Sequence, residues 1–137
     1  MRKVVKPKAS ALIMSMRSIG YSLNNAVADI IDNSISAKAS KIDIICNWDG
    51  NEPYIEIRDD GVGMDAEQLE EAMRLGSDPN SIRDPDDLGR FGLGLKTASF
   101  SQAKKLIVRS SNNVSDSIAM WDLDVVAREN EWLLDIE

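Results

Sequence analysis

"DLGRFGLGLKTAS", residues 87–99, sets Gly89, Gly92 and Gly94 within six positions and follows Leu93-Gly94-Leu95 with Lys96 and Thr97. Glycines crowded ahead of a helical pattern expose backbone N–H groups at a helix N-terminus, a workable cradle for phosphate. A P-loop, G-x-x-x-x-G-K-[ST], would place a lysine where Leu95 stands. The dinucleotide and kinase loops read G-x-G-x-x-G, whereas the order here is G-x-x-G-x-G, and no clear strand runs into it. Two readings of the loop stand at this point. Lys96 adds charge at a β- or γ-phosphate, or it is solvated on a first helical turn behind a flexible hinge. The rest of the chain decides between them.

The chain has 137 residues, a length that suits one domain with its own core. Hydrophobic residues make up 43% and charged residues 28%, the profile of a soluble globular protein. The net charge of −7 argues against this domain gripping a nucleic-acid backbone by itself. It leaves an anionic nucleotide chelated to a metal possible, because only the local field matters there. There is no histidine, which removes His-based triads, zinc-histidine sites and a phospho-accepting histidine within the chain. The single cysteine, Cys46, alternates with Ile42, Ile44 and Trp48 and reads as a small buried hydrophobe. "ALIMSM" is too short, with Arg17 too close behind it, for a signal peptide or a membrane span. The cytoplasm is the expected location.

Helical periodicity is clearest in "SLNNAVADIIDNSISA". Leu23, Ala26, Val27, Ile30 and Ile31 fall on one stripe, and Ser22 can cap the helix. "SALIMSMRSIG" before it reads as a short apolar helix. "KIDIICNW" and "PYIEIRD" read as a hairpin joined by "DGNEP". "DAEQLEEAMRLG" opens with a capping box from Asp65 to Gln68 and closes on Gly76. "SDPNSIRDPDDL", residues 77–88, is polar, with two prolines, and reads as a mobile loop. "LKTASFSQA" is a helix, and "KLIVRSS", "SIAMWDLD" and "EWLLDIE" are later strands. This order predicts an α+β fold, a two-layer α/β sandwich with helices on one face of a mixed, mostly antiparallel sheet.

Two further constellations carry chemistry. Asp29 and Asn33 lie four apart on the strong helix, about 40° apart around its axis, at the border of the apolar stripe. They are either helix-surface polarity or a carboxylate base beside an amide oxygen fit for Mg²⁺, which needs few protein oxygens. In "IEIRDDGVGM", Asp59 shares strand parity with Ile55 and Ile57, so it points where they point, into the core. A carboxylate there needs a donor: an adenine exocyclic amine, or backbone amides of a polar turn. Gly61 and Gly63 permit tight turns or close ligand approach, and Met64 could lie against a ring.

Taken in order, D-x-x-x-N on a helix, D-x-G-x-G after a strand, a polar loop and G-x-x-G-x-G before a helix resemble the GHKL ATPase superfamily. Its members include gyrase B, heat-shock chaperones, histidine kinases and MutL, and the phrasing "AVADIIDNSISA" and "GRFGLGLKTASFS" looks closest to MORC-like and related bacterial ATPases. The resemblance covers roughly residues 9–123. It implies the Bergerat ATP-binding fold, with 1–137 as one domain and residues 77–90 as an ATP lid. It implies that Asn33 ligates Mg²⁺, that Asp59 accepts from the adenine amine, and that Gly61, Gly63 and Met64 shape the adenine pocket. Gly89, Gly92, Leu93 and Gly94 would bound the phosphate end of the lid, with Lys96 nearby. Asp29 falls where hydrolysing members place a glutamate that activates water, and it is one methylene shorter. The superfamily's later strand Thr or Ser has no match before Glu137, so the chain is expected to be the N-terminal part of a longer protein with a downstream domain. Slow ATP hydrolysis with homodimerisation on ATP binding is the leading expectation. A nucleotide switch without hydrolysis, a histidine-kinase-type catalytic domain and a non-nucleotide interaction module are the alternatives.

Overall fold

The computed structural model describes residues 1–76 and 94–137. Among these residues the elements run α1 (Ala9–Arg17), α2 (Leu23–Ser36), β1 (Ile42–Asn47), β2 (Tyr54–Asp59), α3 (Ala66–Met73), α4 (Gly94–Gln102), β3 (Lys105–Ser111), β4 (Asp116–Asp122), α5 (Leu123–Glu129) and β5 (Asp135–Ile136). The expected α+β architecture is present. All the described strand pairs are antiparallel, and they form two sheets, β1-β2 and β3-β4-β5, in place of one mixed sheet.

Local chemistry explains most element boundaries. Ser22 caps α2 by accepting from the Asn25 amide at 3.1 Å. The Asp65–Gln68 capping box starts α3 as its sequence requires, with both reciprocal bonds formed. That helix ends at Met73, short of the expected stop at Gly76. Two departures lie at the C-terminal end. "SIAMWDLD" is a strand only to Asp122, whose side chain accepts from the Asp124 amide and starts the unforeseen helix α5. "EWLLDIE" contributes only the two residues of β5, which pair with Ala119 and Met120.

The core lies where α1, α3, α4 and α5 meet the inner face of β3-β4. Phe100, Leu69, Met73, Leu123 and Val126 are its fully buried side chains. Alternation along β3 and β4 puts Leu106, Ala119 and Trp121 on this face. Helix ends inside the molecule are satisfied by donors from distant segments. The Trp121 indole donates to the Met73 carbonyl at 2.9 Å, and Arg17 donates to the carbonyls of Phe100 and Ala103 at 3.0 and 2.8 Å.

The β1-β2 hairpin departs from expectation. Register pairs Ile44 with Ile57 and Cys46 with Ile55, so the apolar residues share one face as their parity requires. Yet Ile44 and Trp48 are 48% and 62% exposed, and Cys46 is exposed as well, not a buried hydrophobe. The helices pack chiefly on the other sheet or on one another, with α2 lying against α4, so this face stays largely open to solvent.

Gly63 joins the hairpin to the core sheet. Its φ is +70°, and a Cβ there would stand 2.0 Å from the Ser111 carbonyl oxygen. Beside it, the Met64 amide donates to Ser110 Oγ at 2.8 Å. Gly63→Ala is expected to cost about 1–3 kcal/mol from backbone conformation, with the clash added. Urea denaturation measures it, and an unchanged midpoint contradicts the contact.

Candidate functional site

The site is built where the C-terminal half of α2 meets the segment after β2. Six hydrogen bonds stitch the two together. Ser34 Oγ donates to Asp59 Oδ2 at 2.7 Å, and the Val62 amide donates to the Ala37 carbonyl at 2.9 Å. Asp60 accepts from the Ser40 hydroxyl and from the amides of Ser40 and Lys41, at 2.7 and 2.9 Å for the amides. The Asp60 amide returns a bond to the Lys41 carbonyl at 3.3 Å. The Ser40 hydroxyl is the main reason the Asp60 carboxyl is held below the usual carboxylate range, with the Lys41 amide next. Asp60 therefore anchors the loop, while its neighbour Asp59 faces the site.

Asp59 is exposed, not buried in the core as its parity predicts. The parity itself is right, but the strand ends where the apolar hairpin face is open. Oδ1 accepts from the Gly61 amide at 2.9 Å and Oδ2 from Ser34. An ionised carboxylate has about four lone-pair directions, so capacity for a further donor remains. Gly61 fits tightly beneath it. A Cβ there would come within 2.7 Å of Ala37 Cβ and 2.9 Å of Asp59 Oδ1. Met64 is half-buried and packs against the core cluster.

On α2, Asp29 and Asn33 are both half-buried. Asp29 Oδ2 accepts a short hydrogen bond from the Tyr21 hydroxyl. Ile19, Gly20, Tyr21, Asn25, Ala28 and Asp29 line an open depression of about 400 Å³ at this end of the helix. No cluster of three His, Cys, Asp or Glu side chains among the described residues could enclose a metal.

The glycine loop is reached only at its end. Gly89, Gly92 and Leu93, with the expected lid at 77–90, lie outside the described residues. Gly94 opens α4, and a Cβ on it would meet nothing within 4 Å among them. Lys96 is not solvated on its helical turn. It is 2% exposed, and its Nζ donates to the Ala72 carbonyl at 2.8 Å, at the C-terminal end of α3 where a cation is favoured.

Residues 21–137 match the profile of the family described as histidine kinase-, DNA gyrase B-, and HSP90-like ATPase. The chain belongs to this ATPase family. ATP binding follows from that membership. Among similar proteins, the ATPase morc-1 of Caenorhabditis elegans is 33% identical over 84 residues, 61% of this chain and 10% of the relative. Protein MICRORCHIDIA 7 of Arabidopsis thaliana is 32% identical over 90 residues, 62% of this chain and 13% of the relative. The DNA mismatch repair protein MutL of Thermosipho africanus is 32% identical over 96 residues, 68% of this chain and 16% of the relative. The chain thus matches only a tenth to a sixth of the length of these relatives. No helix among the described residues is long and apolar enough to cross a membrane.

Three residues of the site escaped sequence reasoning: Ser34, Asp60 and Tyr21. Ser34 was hidden as a polar residue on an amphipathic helix, and Asp60 was passed over because strand parity singled out its neighbour Asp59. Tyr21 stands outside the helical period. Its phenol is pushed above its ordinary value, first by the hydrogen bond to Asp29, then by burial and by the Asp29 charge. A raised value keeps the donor in place at neutral pH, and the bond is lost as pH rises through the folded-state value. With ¹³C-labelled tyrosine, Tyr21 is expected to ionise above the usual phenol range and to move back toward it in Asp29→Ala. No movement contradicts the Tyr21–Asp29 bond.

Proposed function

We propose that this ATPase-family domain binds ATP as its Mg²⁺ complex and hydrolyses it slowly, and that closure of residues 77–90 over the nucleotide biases dimerisation or a downstream domain. The Ser34–Asp59 bond carries this reading, because it ties the α2 turn holding Asn33 to the loop holding Asp59. Asp59 accepts from the adenine amine, and Gly61 and Gly63 keep the loop backbone close. Asn33 supplies one oxygen to Mg²⁺, which neutralises phosphate charge when bound. Backbone amides at Gly89, Gly92, Leu93 and Gly94 meet the β- and γ-phosphates.

Asp29 orients the attacking water and takes its proton. The water oxygen bonds to the γ-phosphorus as that atom's bond to the β–γ bridging oxygen breaks. The electron pair leaves with ADP, and the proton passes from Asp29 to the phosphate product or solvent. Similarity to a protein named as an ATPase, morc-1, supports hydrolysis over binding alone. The cytoplasm remains the proposed location.

A second reading, a nucleotide switch without hydrolysis, is favoured by the short reach of Asp29. Phosphate release under saturating Mg-ATP separates the two. Asp29→Ala is expected to lower kcat about a hundredfold, within the usual range for a positioned base, and to keep ATP binding. Equal rates from two nucleotide-binding proteins exclude the catalytic role. Chelating Mg²⁺ is expected to weaken ATP binding at least tenfold, and an unchanged affinity contradicts the Asn33 assignment.

A further inference from the structure

Tyr21 lies just ahead of the α2 cap, outside every motif used above. The backbone turns there through Gly20, whose φ is +79°. The Tyr21 carbonyl accepts from Gln102 Nε2 at 2.8 Å, on the last residue of α4. Ser22 caps α2 immediately after it. The tyrosine is therefore fixed between two helices before its side chain is considered. From that fixed position its hydroxyl donates to Asp29 Oδ2 across eight residues of sequence.

A free aspartate on a helix face samples its rotamers, and one short of reach gains most from being held in one of them. A neutral hydroxyl can hold a carboxylate without neutralising it, because a phenol keeps its proton well above the pH where a carboxylate is ionised. A lysine or arginine in the same place would make a strong ion pair and weaken the carboxylate as a base. The bond engages Oδ2, and both residues line the open depression.

From this geometry we infer that Tyr21 is a positioning residue for Asp29, holding one carboxylate oxygen so that the other accepts the proton of the attacking water. The inference rests on the hydrolytic reading of Asp29. Tyr21 keeps its own proton throughout and touches neither nucleotide nor metal. The short carboxylate and its phenol act as one unit, and the pairing of α2 with α4 through Gln102 sets where that unit stands.

The test compares wild type, Tyr21→Phe, Asp29→Ala and the double variant for phosphate release and for Mg-ATP affinity by calorimetry. Tyr21→Phe keeps the ring and removes the donor. It is expected to lower kcat at least about fivefold with KM and Kd for ATP within twofold, and to change nothing further in the Asp29→Ala background. An unchanged kcat with Asp29→Ala inactive overturns the positioning role and leaves the hydrolytic reading standing. A raised kcat overturns it too, showing that the phenol blocks the base. Parallel losses in kcat and ATP affinity mark a structural role and overturn it as well. If wild type releases no more phosphate than Asp29→Ala, the hydrolytic reading fails, and the inference fails with it. Should Tyr21→Phe not fold, ring ¹³C spectra of wild type and Asp29→Asn decide. The Tyr21 resonance must shift when the acceptor is neutralised, and an unmoved resonance overturns the pairing.

Discussion

The site depends on how the segment after β2 is held between α2 and the end of β3. One side of it is fastened by Ser34, which donates to Asp59, and by Asp60, which accepts from the turn at Ser40 and Lys41. The other side passes over the Ser111 carbonyl so closely that only a glycine fits at position 63. Hydrogen bonds of this kind contribute about 1 kcal/mol each, more where one partner is charged. Their geometric effect is larger than their energy. They fix an exposed carboxylate and a helix turn, buried at Ser34, in one frame. The hairpin makes little contact with the helices, so this frame, and not a shared sheet, links it to the core.

The same economy appears at the helix ends. Lys96, Trp121 and Arg17 each spend a donor on the C-terminal carbonyls of α3 or α4, far away in sequence. These bonds lock α3 and α4 onto the core on either side of residues 77–93. Lys96 thus supports the fold through the end of α3. A loop that looked one residue out of register with a P-loop has no need of a P-loop lysine.

Much of this was legible in the sequence because it is local. Ser22, Asp65 and Gln68 cap their helices as their identities dictate, and β3 runs over the residues that its pattern marked. The hairpin register follows from alternation alone. What failed is what depends on distant neighbours. Alternation put Cys46 and Asp59 on the correct face, but it carries no information about whether another layer covers that face. Helix α5 was missed because Asp122 ends one apolar pattern and caps the next, so strand and helix share one apolar stretch broken only by Asp122 and Asp124. Lys96 looks like any first-turn lysine until the α3 carbonyl beneath it is known. Tyr21 has no spacing signal at all, since its partner is reached through a turn.

The central claim is that Asp59 reads adenine through a donor on the base. Calorimetric titration with ATP and with inosine triphosphate, in Mg²⁺, tests it most directly. Inosine triphosphate replaces the exocyclic amine with a carbonyl, which would face the carboxylate with no hydrogen to share. A lost charged hydrogen bond and a repelled acceptor together predict at least about tenfold weaker binding of inosine triphosphate. Asp59→Asn is expected to abolish ATP binding. Equal affinity for the two nucleotides, or an Asp59→Asn protein that binds ATP as well as wild type, would contradict the account.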